Sequence, residues 1–226
     1  MRLPALLLSI SLAALADEPN WQEQMVKDGI SIDVRQELGS KYREFRATVE
    51  LQAKAAHAVA LLQDHDACSK WVLRCRSSEV IEAVSNTERY FHQVTSLPFP
   101  ARSRDAIFHG VIRYNADQAI TITLSSAHDK LPAKQHVRIT KARGFYHIEP
   151  IDTETIRLTW QFYIDPAGAL PAFLVNSMVT DLPFKSLSAF RDLVRQPPYN
   201  SAFFVYDESG VPVNIGFTRD NLPGDS

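Results

Sequence analysis

No block of one charge occurs anywhere in this chain. Its 24 Lys and Arg residues and 26 Asp and Glu residues are interspersed and sum to −2, so a nucleic-acid surface finds no support. Long apolar runs are missing as well. After Ala16 no stretch approaches the roughly 20 apolar residues that a membrane-crossing helix needs. Glycine is scarce, at eight residues, and the glycine turn Asp165–Gly168 contains neither a GxSxG elbow, a GxxxxGK[ST] loop nor a GxGxxG fingerprint. No cofactor is therefore expected. The two cysteines, Cys68 and Cys75, have a spacing that fits no zinc or redox motif. Seven histidines are scattered. Asp64, His65 and Asp66 stand side by side, but adjacent side chains diverge on a helix or strand, which favours a solvated helix end over a metal site. His147 and Glu149 share one strand face and could do acid and base work, although the polarity of an exposed face explains them more simply. No catalytic motif is present.

What is there suits one domain with a full core: 226 residues, of which 45% are hydrophobic. Arg2, the short apolar run Leu6 to Leu15, and the small residues around Ala14-Leu15-Ala16 read as a leader cleaved after Ala16. The expected product is exported, to a bacterial periplasm or otherwise secreted. An oxidising compartment permits a Cys68–Cys75 disulfide. On one continuous helix these residues would stand about 10 Å apart, too far to bridge. A bond requires a helix ending near Cys68 and a turn before Cys75; a pair of buried thiols is the alternative.

Along the chain, Trp21 to Lys27 predicts a short helix stopped by Gly29. Ile30 to Val34 and Phe45 to Leu51 alternate as two strands of a hairpin, and Ala53 to Gln63 reads as a helix. Short strands follow at Val80–Val84, Tyr90–Val94, Ala106–Tyr114, Ala119–Leu124, Val137–Thr140, Phe145–Ile148 and Ile156–Ile164. Turn chemistry separates them at Ser85-Asn86, Leu97–Pro100, Asn115–Asp117 and Lys141–Gly144. Such an order predicts an antiparallel meander. Leu170 to Val194 then has a helical apolar period, with Pro183 inside it as a source of a kink. Beyond Pro197-Pro198, Phe203–Tyr206 and Val211–Ile215 predict a hairpin, and Asn221–Ser226 a loose end.

The strand ending LTWQFYIDPAG, the helix opening at Leu170-Pro171 and its NSMVTDLP run (Asn176 to Pro183) resemble the end of a START domain. TSLPFPARSRD at Thr95–Asp105 and GFYHIEPID at Gly144–Asp152 agree, in family order, and the likeness spans about Cys68 to Arg195. The resemblance implies an α+β helix-grip fold: a curved antiparallel sheet closed over a cavity by a long C-terminal helix. It divides the chain into a leader (1–16), a START-like lipid-binding domain (17–196) and a C-terminal extension (197–226). It also implies non-enzymatic lipid binding and transfer. A helix-grip enzyme, a cyclase or hydrolase acting on an apolar substrate, is the alternative.

Strand parity then predicts the cavity lining: Ala106, Phe108 and Ile112; Ile120, Ile122 and Leu124; Trp160 and Phe162. Val175, Met178, Val179 and Leu182 would face them from the helix. A solid core built by the same residues stays open. Ala127 to Gln135 is placed at the mouth. The expected partners are a phospholipid, sterol or other apolar molecule and, transiently, a membrane surface, with the protein a monomer. Sterol-binding members carry an acid and an arginine in the cavity. Here the arginine's position falls at Gly110 and the acid's partner position near Phe91, so that pair is absent. His92 and Tyr90 are the substitute polar candidates. Arg104 and Asp105 read as a structural ion pair.

Overall fold

The computed structural model describes residues 20–115 and 117–218. In chain order it contains β1 (Gln22–Lys27), β2 (Ile30–Gln36), β3 (Arg43–Gln52), α1 (Ala55–Gln63) and α2 (Cys68–Trp71). The meander follows with β4 (Cys75–Ala83), β5 (Glu88–Thr95), β6 (Arg104–Tyr114), β7 (Ile120–Ser126), β8 (Val137–Arg138), β9 (Lys141–Pro150) and β10 (Thr155–Asp165). The long helix α3 (Ala172–Leu193) and the strands β11 (Ala202–Tyr206) and β12 (Pro212–Phe217) complete it. The main sheet runs β1-β2-β3-β10-β9-β7-β6-β5-β4, with β8 attached to β6. All of its pairings are antiparallel except β6 with β8. This is the expected fold: a curved antiparallel sheet gripping a C-terminal helix. No described helix is long and apolar enough to cross a membrane.

The sheet is half apolar because its strands alternate. β10 buries Ile156, Leu158 and Trp160, while Arg157, Thr159 and Gln161 between them are half-exposed. Ile30, Ile32, Val34, Ala47, Val49 and Leu51 continue the same face into β2 and β3. α1 and the second half of α3 cover it, burying Val59, Leu61, Leu187 and Phe190 completely. Fully burying side chains of this size stabilises by about 1.5–3 kcal/mol each.

Several sequence expectations need correction. Trp21–Lys27 is not helical: Gln22–Lys27 form the edge strand β1. Asp28 (φ 51°) and Gly29 (φ 74°) make the two-residue turn into β2. An Asp-Gly pair of this kind is a hairpin signal, here read as a helix stop. Trp21 lies against two guanidinium groups, Arg35 Cζ and Arg46 Cζ being 4.5 and 4.6 Å from its ring. Val137–Thr140 yields only the two-residue β8, a parallel bridge to Arg104 and Asp105. The separator Lys141–Gly144 belongs to β9, where Lys141 pairs with Asp165 and Gly144 with Phe162. Gly144 is there for space. A Cβ at that position would collide with the Gln161 carbonyl oxygen and with Phe162 Cδ2, and would sit 2.9 Å from Phe162 Cα.

Arg104 and Asp105 do not pair with each other. The Arg104 guanidinium donates to the carbonyls of Arg102 (2.6 Å), Pro166 (3.0 Å) and Ala167 (3.2 Å), fixing the turn between β10 and α3. Asp105 Oδ2 accepts from Arg138 Nη2 at 2.8 Å and lies 3.0 Å from His92 Nε2. Burial works to raise the Asp105 pKa, but the hydrogen bonds from Arg138 and His92 prevail and hold it below the ordinary carboxylate range. Neighbours on a strand point to opposite faces, which is why each finds partners of its own.

The tail forms the expected hairpin, β11 with β12. It packs on α1, and the Tyr199 hydroxyl donates to Asp64 Oδ2 at 2.5 Å. The expected loose end, Asn221–Ser226, and the leader lie outside the described residues.

Candidate functional site

Between the sheet and α3 the protein is hollow. A main lobe of about 150 Å³ lies under the first half of α3. A second lobe of about 70 Å³ lies toward α1 and α2. Val72, Gln93, Leu124 and Tyr146 line both.

The hollow has a visible cause in the register. Across the sheet, Gly110 pairs with Leu124, Leu124 with Gly144, and Gly144 with Phe162. Gly110 leaves its inward position open to the smaller lobe, whereas the place of a side chain at Gly144 is taken by Phe162. Ala106 and Ala142 add two more small residues on the same face, both buried. The larger residues stand around this trough. Phe108 lies 5.3 Å from Phe91 and 5.8 Å from Phe162, measured between ring centroids. Trp160 stacks on Tyr146 at 5.3 Å.

Of the residues predicted to line the cavity, Ala106, Phe108, Leu124, Trp160, Phe162, Val175, Met178, Val179 and Leu182 line the main lobe. Ile112 and Ile122 line the smaller one, with Leu124. Ile120 lines neither lobe; it is 2% exposed in the solid core. No residue of the segment Ala127–Gln135 lines either lobe. That segment closes instead around Arg138, whose guanidinium donates to the carbonyls of His128, Leu131 and Pro132. Leu97, Pro166, Leu170 and Leu174 line the main lobe where β5, β10 and α3 end or begin.

α3 changes character at Pro183. No residue from Ala172 to Leu182 is buried. In that half, Leu174, Val175, Met178, Val179 and Leu182 form one apolar stripe over the main lobe. From Pro183 onward the helix is embedded: Pro183, Ser186, Leu187 and Phe190 are buried. The Phe190 ring lies 5.0 Å from that of Trp71, and Ser186 Oγ accepts from the Leu73 N–H at 2.9 Å. The second half is fixed to α2 and Leu73 by these contacts, while the first half roofs the space and is tied at Asn176, which accepts from the Arg43 N–H at 3.1 Å and donates to the Lys41 carbonyl at 3.2 Å. The proline removes one helical backbone hydrogen bond near the junction of the two halves.

The Cys68–Cys75 disulfide is formed, with Cα atoms 5.9 Å apart. α2 runs only from Cys68 to Trp71, and Arg74 (φ 66°) turns the chain back. The bond thereby holds Trp71, Val72 and Leu73 against the cavity.

The sequence-predicted polar candidates lie elsewhere. His92 is held between Asp105 and Glu79. Tyr90 stacks on His109 at 4.6 Å, with Lys130 Nζ 4.0 Å from its ring centre. Neither lines a lobe. His147 Nδ1 is 2.9 Å from Thr121 Oγ1 across the sheet. His65 is half-buried rather than fully solvated: it lines the smaller lobe, its ring lies 4.5 Å from that of Phe91, and its Nδ1 is 2.9 Å from Ser78 Oγ. Burial, aided by the Arg89 charge, lowers its pKa to about 4. Sequence reasoning missed Tyr146, although a signal existed. Ala142, Gly144, Tyr146 and Ile148 alternate with Arg143, Phe145, His147 and Glu149, which puts Tyr146 on the inward face.

Comparison with known proteins agrees with this architecture. The START domain family profile matches residues 6–197. The chain belongs to the START domain family. A crystallised STAR-related lipid transfer protein from Xanthomonas axonopodis (fragment 25–204) is 34% identical. The alignment covers 78% of this chain and 99% of that one, with a TM-score of 0.73. Human StAR-related lipid transfer protein 5 shares the fold at 18% identity, with 80% and 88% covered and a TM-score of 0.72. An uncharacterized protein of Pseudomonas aeruginosa is 25% identical over 190 residues, 84% of this chain and 93% of that protein. Family membership and fold together support an apolar ligand-binding cavity.

Proposed function

We propose that the protein binds a lipid in this cavity and carries it between membranes without chemical conversion. The observation that carries the reading is the divided helix: an apolar roof over a hollow, continuous with a half that is anchored in the core. Removing a lipid of about 30 methylenes from water is worth about 25 kcal/mol gross, at about 0.8 kcal/mol per CH₂. Unassisted escape from a bilayer is correspondingly slow. An apolar hollow substitutes one dry environment for another, so the net free energy of transfer stays small and the carrier can both load and release. Pro183 is the hinge about which Ala172–Leu182 lifts. Phe99 and Phe173, 97% and 77% exposed and close in sequence to the lining residues Leu97 and Leu174, supply the transient contact with a membrane surface. The disulfide fits work in an exported, oxidising compartment such as a periplasm.

Two measurements test the reading. Native mass spectrometry of gently purified protein is expected to show an intact bound lipid. Transfer of a fluorescent phospholipid between vesicles should be accelerated by the protein and slowed several-fold by Pro183→Ala. An empty protein that converts an added apolar substrate would overturn the carrier reading in favour of an enzyme, and an unchanged Pro183→Ala transfer rate would remove the hinge.

A further inference from the structure

Tyr146 lies where the two lobes meet and is only 8% exposed. Its hydroxyl has no hydrogen-bond partner among the described residues, and burial alone pushes its pKa well above the ordinary phenol value. Two further donors beside it are equally orphaned. The indole Nε1 atoms of Trp71 and Trp160 are buried without partners, and their rings lie 6.2 and 5.3 Å from that of Tyr146. Gln93, the other polar residue common to both lobes, also makes no side-chain hydrogen bond among the described residues. Buried polar groups are normally paired, because leaving one unpaired costs about 1–3 kcal/mol. The two indole nitrogens are sealed off from any guest, so among these donors the Tyr146 hydroxyl, on a residue that lines both lobes, is the one placed to meet an acceptor brought by a ligand.

Resting on the carrier reading, we propose that Tyr146 anchors the uncharged oxygen of the bound lipid, a hydroxyl or a carbonyl, at the inner end of the cavity. The Tyr146 hydroxyl has a proton that no described acceptor takes, so an oxygen lone pair on the ligand completes it. The cluster is also unsuited to a charge. Of the cations lining the lobes, Arg104 is engaged with three carbonyls and Arg89 with Gln63 Oε1 and the Asn86 carbonyl, while Arg43 stands four residues along β3 from Ala47, the residue level with Trp160 and Tyr146, about 13 Å away. A carboxylate or phosphate placed among Tyr146, Trp160 and Ile122 would lose its hydration without gaining a counter-ion. The position lies two strands from Gly110 and in the next row: Leu124 pairs with Gly110, while Ile122, two residues away on β7, pairs with Tyr146. A polar group thus survives in the hollow although the glycine position offers none.

The test displaces Nile red from the full-length protein with four eight-carbon probes: 1-octanol, 2-octanone, octanoate and octane. Tyr146→Phe removes only the hydroxyl. It should weaken 1-octanol and 2-octanone by about two- to tenfold, the span of one neutral hydrogen bond, and leave octane unchanged. The melting temperature of the empty variant should equal or exceed that of the parent, because no protein bond is lost. Equal affinities of variant and parent for all probes would overturn the anchor while leaving the cavity intact. So would a preference of the parent for octanoate, or a fall of several degrees in melting temperature. Failure of every probe to displace the dye would overturn the carrier reading, and the anchor with it.

Discussion

His65 offers a quantitative check on the closure of the smaller lobe. Its imidazole, packed against Phe91 and bonded to Ser78, has its pKa lowered to about 4, first by burial and then by the charge of Arg89, while Asp64 and Asp66 act the other way. In the unfolded chain it titrates near the ordinary imidazole value of 6.5. Between those values the unfolded state binds a proton that the folded state refuses, so stability must rise with pH across that window. It is complete above about pH 6.5 and is lost as the pH falls toward 4. The full shift corresponds to about 3 kcal/mol, and between about pH 7.5 and about pH 5 the loss from this residue is about 2 kcal/mol. Carboxylates such as Asp105 also lose stabilising power in acid, but at lower pH. The comparison with His65→Asn isolates the imidazole, because an asparagine amide can replace Nδ1 toward Ser78 but cannot take a proton. Urea unfolding of both proteins at a series of pH values reads the difference. The parent should lose about 2 kcal/mol more than the variant between the two pH values. Parallel curves would mean that the imidazole is hydrated in the folded state, and that the lobe is open to water.

Two further substitutions and one bond probe the frame around the hollow. Gly144→Ala should destabilise by about 3 kcal/mol in thermal unfolding, since its Cβ meets backbone that cannot yield. Gly110→Ala should change stability by under about 1 kcal/mol, because its Cβ meets Phe91 Cε1 at 3.4 Å and Leu124 Cδ2 at 3.5 Å, near ordinary contact. Equal effects at the two glycines would contradict the packing described. Replacing both cysteines by alanine opens a short loop, seven residues in sequence separation, and should lower stability by about 2.5 kcal/mol on chain-entropy grounds. Guanidinium titration checks this, and a loss under about 1 kcal/mol would show that the turn at Arg74 persists unaided.

Much of the architecture was legible because period carries direction. Alternation from Ile156 to Ile164 fixed the buried face of β10, and the apolar stripe from Val175 to Leu182 fixed the roof of the cavity. Where two structures share one local pattern the reading went astray. QEQMVK suits a helix as well as a strand, and only pairing with β2 decides it. KARG looks like a turn because glycine usually means one, but here it means the approach of Phe162. Two of the three partners of Arg104 come from the β10–α3 turn, 62 and 63 residues away in the chain, contacts that no local pattern announces.

The hollow itself is a harder inference than the face that lines it, because alternation tells which side chains point inward and not whether they fill the space. Volume is decided across strands. The row Gly110, Leu124, Gly144, Phe162 runs across four strands, and its two glycines differ. Phe162 takes the place of a side chain at Gly144, and Gly144 lines neither lobe. Gly110 lines the smaller lobe and the small Ala106 the main one, both on one face of β6. Phe108, Tyr146 and Trp160 stand around this space without filling it, and the stripe of α3 covers it rather than descending into it. Small inward residues on β6 leave the first half of α3 a cover, while the large residues facing its second half, Trp71 among them, make that half an anchor.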